Sequence, residues 1–200
     1  MPQDEDIWLC AGCKSCEAAC PRGVHITGII KGLRAMAWKN NKLPKGISAI
    51  AWSSVFGGNP YQRPPSERMA WAKDIKIKIY DKSDEILLYI GCTASYDRRI
   101  QKTARSLLKI LEAADIHFGI LGDQEPCCGE SLMSLGQSAY ANEIITANTR
   151  RFMEMGVRTL VAISPHCFDM FKNHYPKMNG GWRPMHYTQL LAELIDTKRL

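Results

Sequence analysis

The 200-residue sequence contains no run of 18 apolar residues, which excludes a membrane-spanning helix within it. Its first residues, Met1-Pro-Gln-Asp-Glu-Asp6, are acidic where a secretory leader is basic and then apolar. A cytoplasmic location is expected, with any membrane association made through a partner subunit. Aromatic residues make up only 8%, and the net charge of +6 is not gathered into basic blocks with interleaved aromatics, which argues against nucleic acid as a partner. Nothing in the chain repeats, and no stretch is low in complexity. What remains is an ordinary globular composition, 46% hydrophobic and 23% charged, long enough for one domain or two small ones.

Eight cysteines stand out against this background. In a chain without an export signal, metal binding is a better reading of them than disulfides. Four are clustered: Trp8-Leu-Cys-Ala-Gly-Cys-Lys-Ser-Cys-Glu-Ala-Ala-Cys-Pro21 spells C-x2-C-x2-C-x3-C-P, the ferredoxin-type ligand run. Cys10, Cys13 and Cys16 are expected on one 4Fe-4S cluster. Cys20 either closes that cluster or, as favoured here, reaches a second one completed by a partner. The other four, Cys92, Cys127, Cys128 and Cys167, are scattered. Neighbouring cysteines bond to each other only with strain, so the Cys127-Cys128-Gly129 triplet points to two thiolates facing one soft metal centre.

Periodicity connects the scattered set. Ile26, Ile29, Ile30, Leu33, Met36 and Ala37 fall at helical spacing, giving a helix over 26–42 that Thr27 or the preceding turn can start. Residues 47–56 read as a short helix, and 66–72 as another capped by Ser66. Trp52 and Trp71 are expected to pack against the flanking domains. Ile75 to Tyr80 alternates like an edge strand with its lysines in water. Strands are expected at 85–92, 118–121 and 158–163. Helices are expected at 98–114 and at 131–155, the second broken or bent near Gly136. Each strand leads to a cysteine, so the βαβαβ order brings Cys92, Cys127, Cys128 and Cys167 together beyond the carboxyl edge of an open parallel sheet. The expected fold is therefore a helical ferredoxin-like domain (1–45), a connector (46–82) and a Rossmann-like α/β domain (83–200).

Gly91-Cys-Thr-Ala-Ser-Tyr-Asp97, Cys127-Cys-Gly129 and Pro165-His-Cys-Phe168, after a ferredoxin run ending Cys20-Pro-Arg-Gly-Val24, resemble the cysteine-rich CCG proteins of the heterodisulfide reductase family. Gly58-Asn-Pro60, Pro64-Pro65 and His186-Tyr-Thr-Gln-Leu190 extend the resemblance over nearly the whole chain. It implies a ferredoxin-type domain followed by CCG domains, and electron transfer through iron-sulfur clusters toward a disulfide. Cys10, Cys13, Cys16, Cys20, Cys92, Cys127, Cys128 and Cys167 become the cluster ligands, with the last four as the catalytic set.

Flavin-containing or other iron-sulfur subunits become the implied partners, and an anionic thiol or disulfide the implied substrate. Three departures accompany the likeness. Ser164 stands where the family's final C-x2-C pair has its first cysteine, and its hydroxyl is a poor iron ligand. One ferredoxin run and one CCG repeat are present where the family has two of each, as if this were the middle of a longer fusion. Alternatives are a relay subunit with no substrate of its own, an iron-sulfur subunit like those of glycolate or lactate oxidation, and structural zinc at the CCG thiolates. Arg98, Arg99 and Lys102 could attract an anionic substrate, although a solvated helix turn is the simpler reading. His166 could touch a cluster sulfur or be a locally satisfied loop residue, and Met133, Met153 and Met155 read as core.

Overall fold

Strand β1 (Ile86–Tyr89) is apolar at every position, and the computed structural model, which describes residues 6–178 and 181–200, shows why. It lies inside a four-stranded parallel sheet of order β2-β1-β3-β4, with β2 at Phe118–Gly119, β3 at Thr159–Ala162 and β4 at Arg183–His186. Its side chains alternate between two cores. Ile86, Leu88 and Ile90 join Leu107, Leu108 and Leu111 of α6 (Arg98–Ala113) and Leu190 and Leu194 of α10 (Tyr187–Asp196). Leu87 and Tyr89 join Ile145 and Phe152 of α8 (Ser138–Glu154) and Phe171 of α9 (Pro165–Asn173) on the other face. Helices on both faces are what an all-parallel sheet requires.

The N-terminal part is helical: α1 (Asp6–Leu9), α2 (Ser15–Ala18), α3 (Ile26–Lys39) and α4 (Ile47–Phe56). Glu17, inside the cysteine run, starts α3. Its carboxylate accepts from the Thr27 amide at 2.6 Å and from the Thr27 hydroxyl at 2.5 Å. The two parts are docked tightly. Arg34 of α3 donates to the carbonyls of Ile7, Cys10 and Ser134 at 2.9, 2.7 and 2.7 Å, and the Trp38 indole donates to Leu135 at 2.9 Å. At Gly136, between α7 (Glu130–Ser134) and α8, a Cβ would stand 2.6 Å from the Ala35 nitrogen, and φ is +83°. Only glycine tolerates both the approach and the dihedral. The break expected near this residue separates α7 from α8 and is also the contact with α3.

Several expectations change. Residues 75–80 form no regular strand: Ile79 makes a single parallel bridge to Ile120, while Ile75 and Ile77 pack on the core. β2 is only two residues long, and the chain turns away at Asp81, whose carboxylate takes the Ser83 amide, so there is no ladder to extend. The helix expected over 66–72 is two 3-10 turns, Pro65–Glu67 and Ala70–Ala72, and the first is preceded by Pro64 rather than capped by Ser66. Strand β4 and helix α10 have no counterpart among the expected elements; for β4 the reason is Pro184, which weakens a strand reading that an edge position allows. Trp71 is buried, whereas Trp52 stacks edge-on to Trp38 and Tyr140 and stays 40% exposed. Met133 and Met155 pack against the cores, but Met153 is exposed.

Candidate metal centre

Each scattered cysteine follows the carboxyl end of a strand. Cys92 is the second residue of α5 (Gly91–Tyr96) after β1, Cys127 and Cys128 end the loop after β2, and Cys167 is the third residue of α9 after β3. All four are buried and none is in a disulfide. Their sulfurs form a continuous row of contacts, Cys92 to Cys127 to Cys128 to Cys167. A Cβ on Gly91 would stand 3.3 Å from the Cys167 sulfur, so the strand end itself closes the floor of the site.

The backbone of the triplet is held carbonyl by carbonyl. Tyr89 donates its hydroxyl to Pro126 O, the Asn148 amide donates to Cys127 O at 2.8 Å, and the Tyr175 hydroxyl donates to Cys128 O at 3.2 Å. Asn148 also donates to the Tyr175 hydroxyl at 2.8 Å. Gly129 turns at φ +88°, and its amide donates to the Cys127 sulfur at 3.4 Å. These buried side chains fix where two adjacent sulfurs point, which is the task of the layer behind a metal's ligands.

A second buried layer comes from the connector. Arg68 donates to Glu125 at 2.9 Å, to Gly58 O at 2.9 Å and to the Cys92 sulfur at 3.5 Å, and it lies over the Tyr96 ring. The Glu125 carboxylate accepts from the Ile90 and Gly91 amides at 2.8 Å each. Gly58-Asn59-Pro60 forms the cover. Buried Asn59 bonds the Gly57 and Arg63 carbonyls and the Tyr61 amide, so this loop is fixed beside Cys92.

The electrostatics follow from this packing. The Cys128 contact, weighed against a lowering contact from Cys92, and burial push the Cys127 thiol up to about 12. Cys92 is raised by its contact with Cys127 and by burial, against the pull of Arg68. Cys127 lowers Cys128 and Cys128 lowers Cys167, but burial and the remaining thiols outweigh this and both are raised. Four such thiols resist ionising together, and only a centre bringing its own positive charge makes thiolates of all of them.

The N-terminal set is differently placed. Cys13 and Cys16 are exposed, while Cys10 and Cys20 are half-buried. Gly12 and Lys14 are both left-handed, so the loop coils between α1 and α2. Cys13 contacts the Ser15 hydroxyl at 3.4 Å, and the Val24 amide donates to the Cys20 sulfur at 3.4 Å. Arg34 ties Cys10 O to Ser134 O, and Lys14 pairs with Asp169 at 3.1 Å, two residues beyond Cys167. The cysteine run therefore sits against the part of the chain that carries the second set.

Residues 86–172 match the family model for a cysteine-rich domain, CCG. Over 98% of the chain, similarity also extends to an EtfAB:quinone oxidoreductase of Syntrophomonas wolfei (30% identity, 29% of the relative), to the probable iron-sulfur-binding oxidoreductase FadF of Bacillus subtilis (33%, 29%) and to one subunit of the dihydromethanophenazine:CoB--CoM heterodisulfide reductase of Methanosarcina barkeri (30%, 49%). The chain spans about half or less of the length of these curated relatives. No solved structure matches it.

The CCG thiols fit a soft metal centre by donor chemistry: four buried sulfurs in a row, none in a disulfide, with a hydrogen-bonded layer behind them. Among the described residues, no group of three or more His, Cys, Asp or Glu is spaced to hold a metal ion. The donor set itself, four buried thiols free of disulfides, has the chemistry of a soft-metal site. Ser164 precedes α9 at φ −87°, ψ 131°, with its Cβ 3.9 Å from where a Gly91 Cβ would be, so it borders the thiol row. His166 is exposed and faces Glu130 at 3.7 Å, a local partner and not a sulfur. Arg98 and Lys102 are exposed, and Arg99 pairs with Asp97. Sequence reasoning missed Arg68, Tyr89, Asn148 and Tyr175. Glu125 carried one signal, its place two residues before the Cys127-Cys128 pair.

Proposed function

We propose that the chain is an iron-sulfur subunit of a heterodisulfide reductase-like thiol/disulfide oxidoreductase. Cys10, Cys13 and Cys16 hold one 4Fe-4S cluster in a ferredoxin-like domain, with Cys20 completing it or reaching a cluster shared with a partner. Cys92, Cys127, Cys128 and Cys167 hold a second cluster. The observation that carries this reading is the row of four buried thiols beyond the parallel sheet, docked through Arg34 to a ferredoxin-type cysteine run. Such clusters supply one-electron chemistry.

The chain's own contributions are distinct. Tyr89, Asn148 and Tyr175 orient the adjacent cysteines, and Arg68 presents a fixed cation to Cys92. The apolar layer around the four thiols keeps water from them, while the exposed Cys13 and Cys16 are open to an electron-donating partner, flavin-containing or iron-sulfur. Among the described residues no helix is long and apolar enough to cross a membrane, so any membrane link is proposed to run through a partner.

A second reading, an electron relay without a substrate of its own, is favoured by Ser164, which puts a hydroxyl where a fifth sulfur would stand. The relatives' names divide in the same way, one carrying heterodisulfide and another quinone. Anaerobic iron and acid-labile sulfide analysis, with EPR of the protein reduced and then oxidised with an anionic thiol present, separates the readings. Two clusters and a thiol-dependent signal support the oxidoreductase, and two clusters without such a signal support the relay. Zinc without labile sulfide at the CCG thiols would sink both.

A further inference from the structure

Among the buried polar residues of the molecule, Arg68 and Glu125 form an ion pair whose side chains are 3% and 1% exposed. Such a pair is a weak source of stability, because desolvating both charges offsets most of their attraction and apolar residues would serve packing as well. Its placement suggests another use. One guanidinium nitrogen donates to both Gly58 O and the Cys92 sulfur, so the cation is anchored by backbone at 2.9 Å and presented to sulfur at 3.5 Å. Glu125 is itself immobilised by the Ile90 and Gly91 amides, which belong to the strand end that leads directly into Cys92.

We propose that Arg68 is a positioning residue that sets the reduction potential at the CCG thiols, with Glu125 as the counter-charge that holds it there and offsets part of its field. The proposal rests on the reading that these thiols carry an iron-sulfur centre. Each electron accepted adds one negative charge, which a buried cation beside a ligand sulfur stabilises, while a buried carboxylate opposes it. The two residues therefore act with opposite signs. This separates the role from simple packing, where damage to either partner has the same effect.

The test compares wild type with Arg68→Met, Glu125→Gln and the double variant, each assayed for iron and labile sulfide and titrated anaerobically with dithionite under EPR. Arg68→Met is expected to move the CCG-site midpoint to more negative potential and Glu125→Gln to more positive potential, with the N-terminal centre unmoved in both. If Arg68→Met alone loses its centre because an unpaired carboxylate remains, the double variant, compared with Glu125→Gln, still reads the effect of Arg68 and is expected at the lower potential. Unmoved midpoints, shifts of the same sign, or a double variant equal to Glu125→Gln would overturn the proposal with the centre present. A wild-type protein lacking iron and sulfide at these thiols would instead overturn the underlying reading, and this proposal with it.

Discussion

The two sets of four cysteines are held by opposite means. Cys10 to Cys20 lie within eleven residues, on a loop shaped by left-handed Gly12 and Lys14, with two of the four thiols exposed. Cys92 to Cys167 span 76 residues and meet only because three parallel strands end side by side, with all four thiols buried. The first set depends on spacing and the second on topology. A local set can assemble early and stay accessible, as suits a site that exchanges electrons with a partner. A set that requires the whole sheet brings with it a dry, rigid surround, as suits a site whose potential must be controlled.

This contrast can be broken or sharpened by substitution. The largest effect is expected from Gly136→Val, which drives a Cβ into the Ala35 backbone at a left-handed dihedral and costs on the order of 3 kcal/mol or more. Limited proteolysis should then release the helical part while the sheet persists. Next is Arg34→Met, which strips the carbonyls of Ile7, Cys10 and Ser134 of their donor and is expected to cost about 2–3 kcal/mol in denaturant unfolding. It should loosen the first cysteine set and spare the second.

Asn148→Ala has the converse target. It leaves Cys127 O without its buried donor, at about 1–3 kcal/mol, and should lower iron retention at the CCG thiols alone. The smallest effect is expected from Lys14→Ala. The Lys14–Asp169 pair is half-exposed, so unfolding should change by less than about 1 kcal/mol although the pair also spans the two parts.

The α/β half was legible in the sequence where burial makes a simple pattern. The unbroken apolar run at Ile86–Tyr89 and the helical stripe of Leu107, Leu108 and Leu111 each have one physical explanation. Topology then placed the four cysteines. The pattern failed where tertiary pairing decides. Ile75 to Tyr80 alternates as a strand should, yet it found no partner long enough to pair with, while β4 pairs fully despite Pro184. The residues behind the cysteines were illegible for a different reason. Arg68, Asn148 and Tyr175 are ordinary residues of a turn, a helix and a short 3-10 segment, and only their distance to Cys92 or to the Cys127 and Cys128 carbonyls gives them a role. Arg34 likewise reads as one polar position on α3 until its three carbonyl partners are known.

The central claim, two separate centres held by separate cysteine sets, is tested most directly by anaerobic iron and labile sulfide counts on Cys13→Ser and Cys127→Ser. Each variant is predicted to lose one centre and keep the EPR signal of the other. Loss of all iron and sulfide in either variant, or no loss in Cys127→Ser, would contradict it.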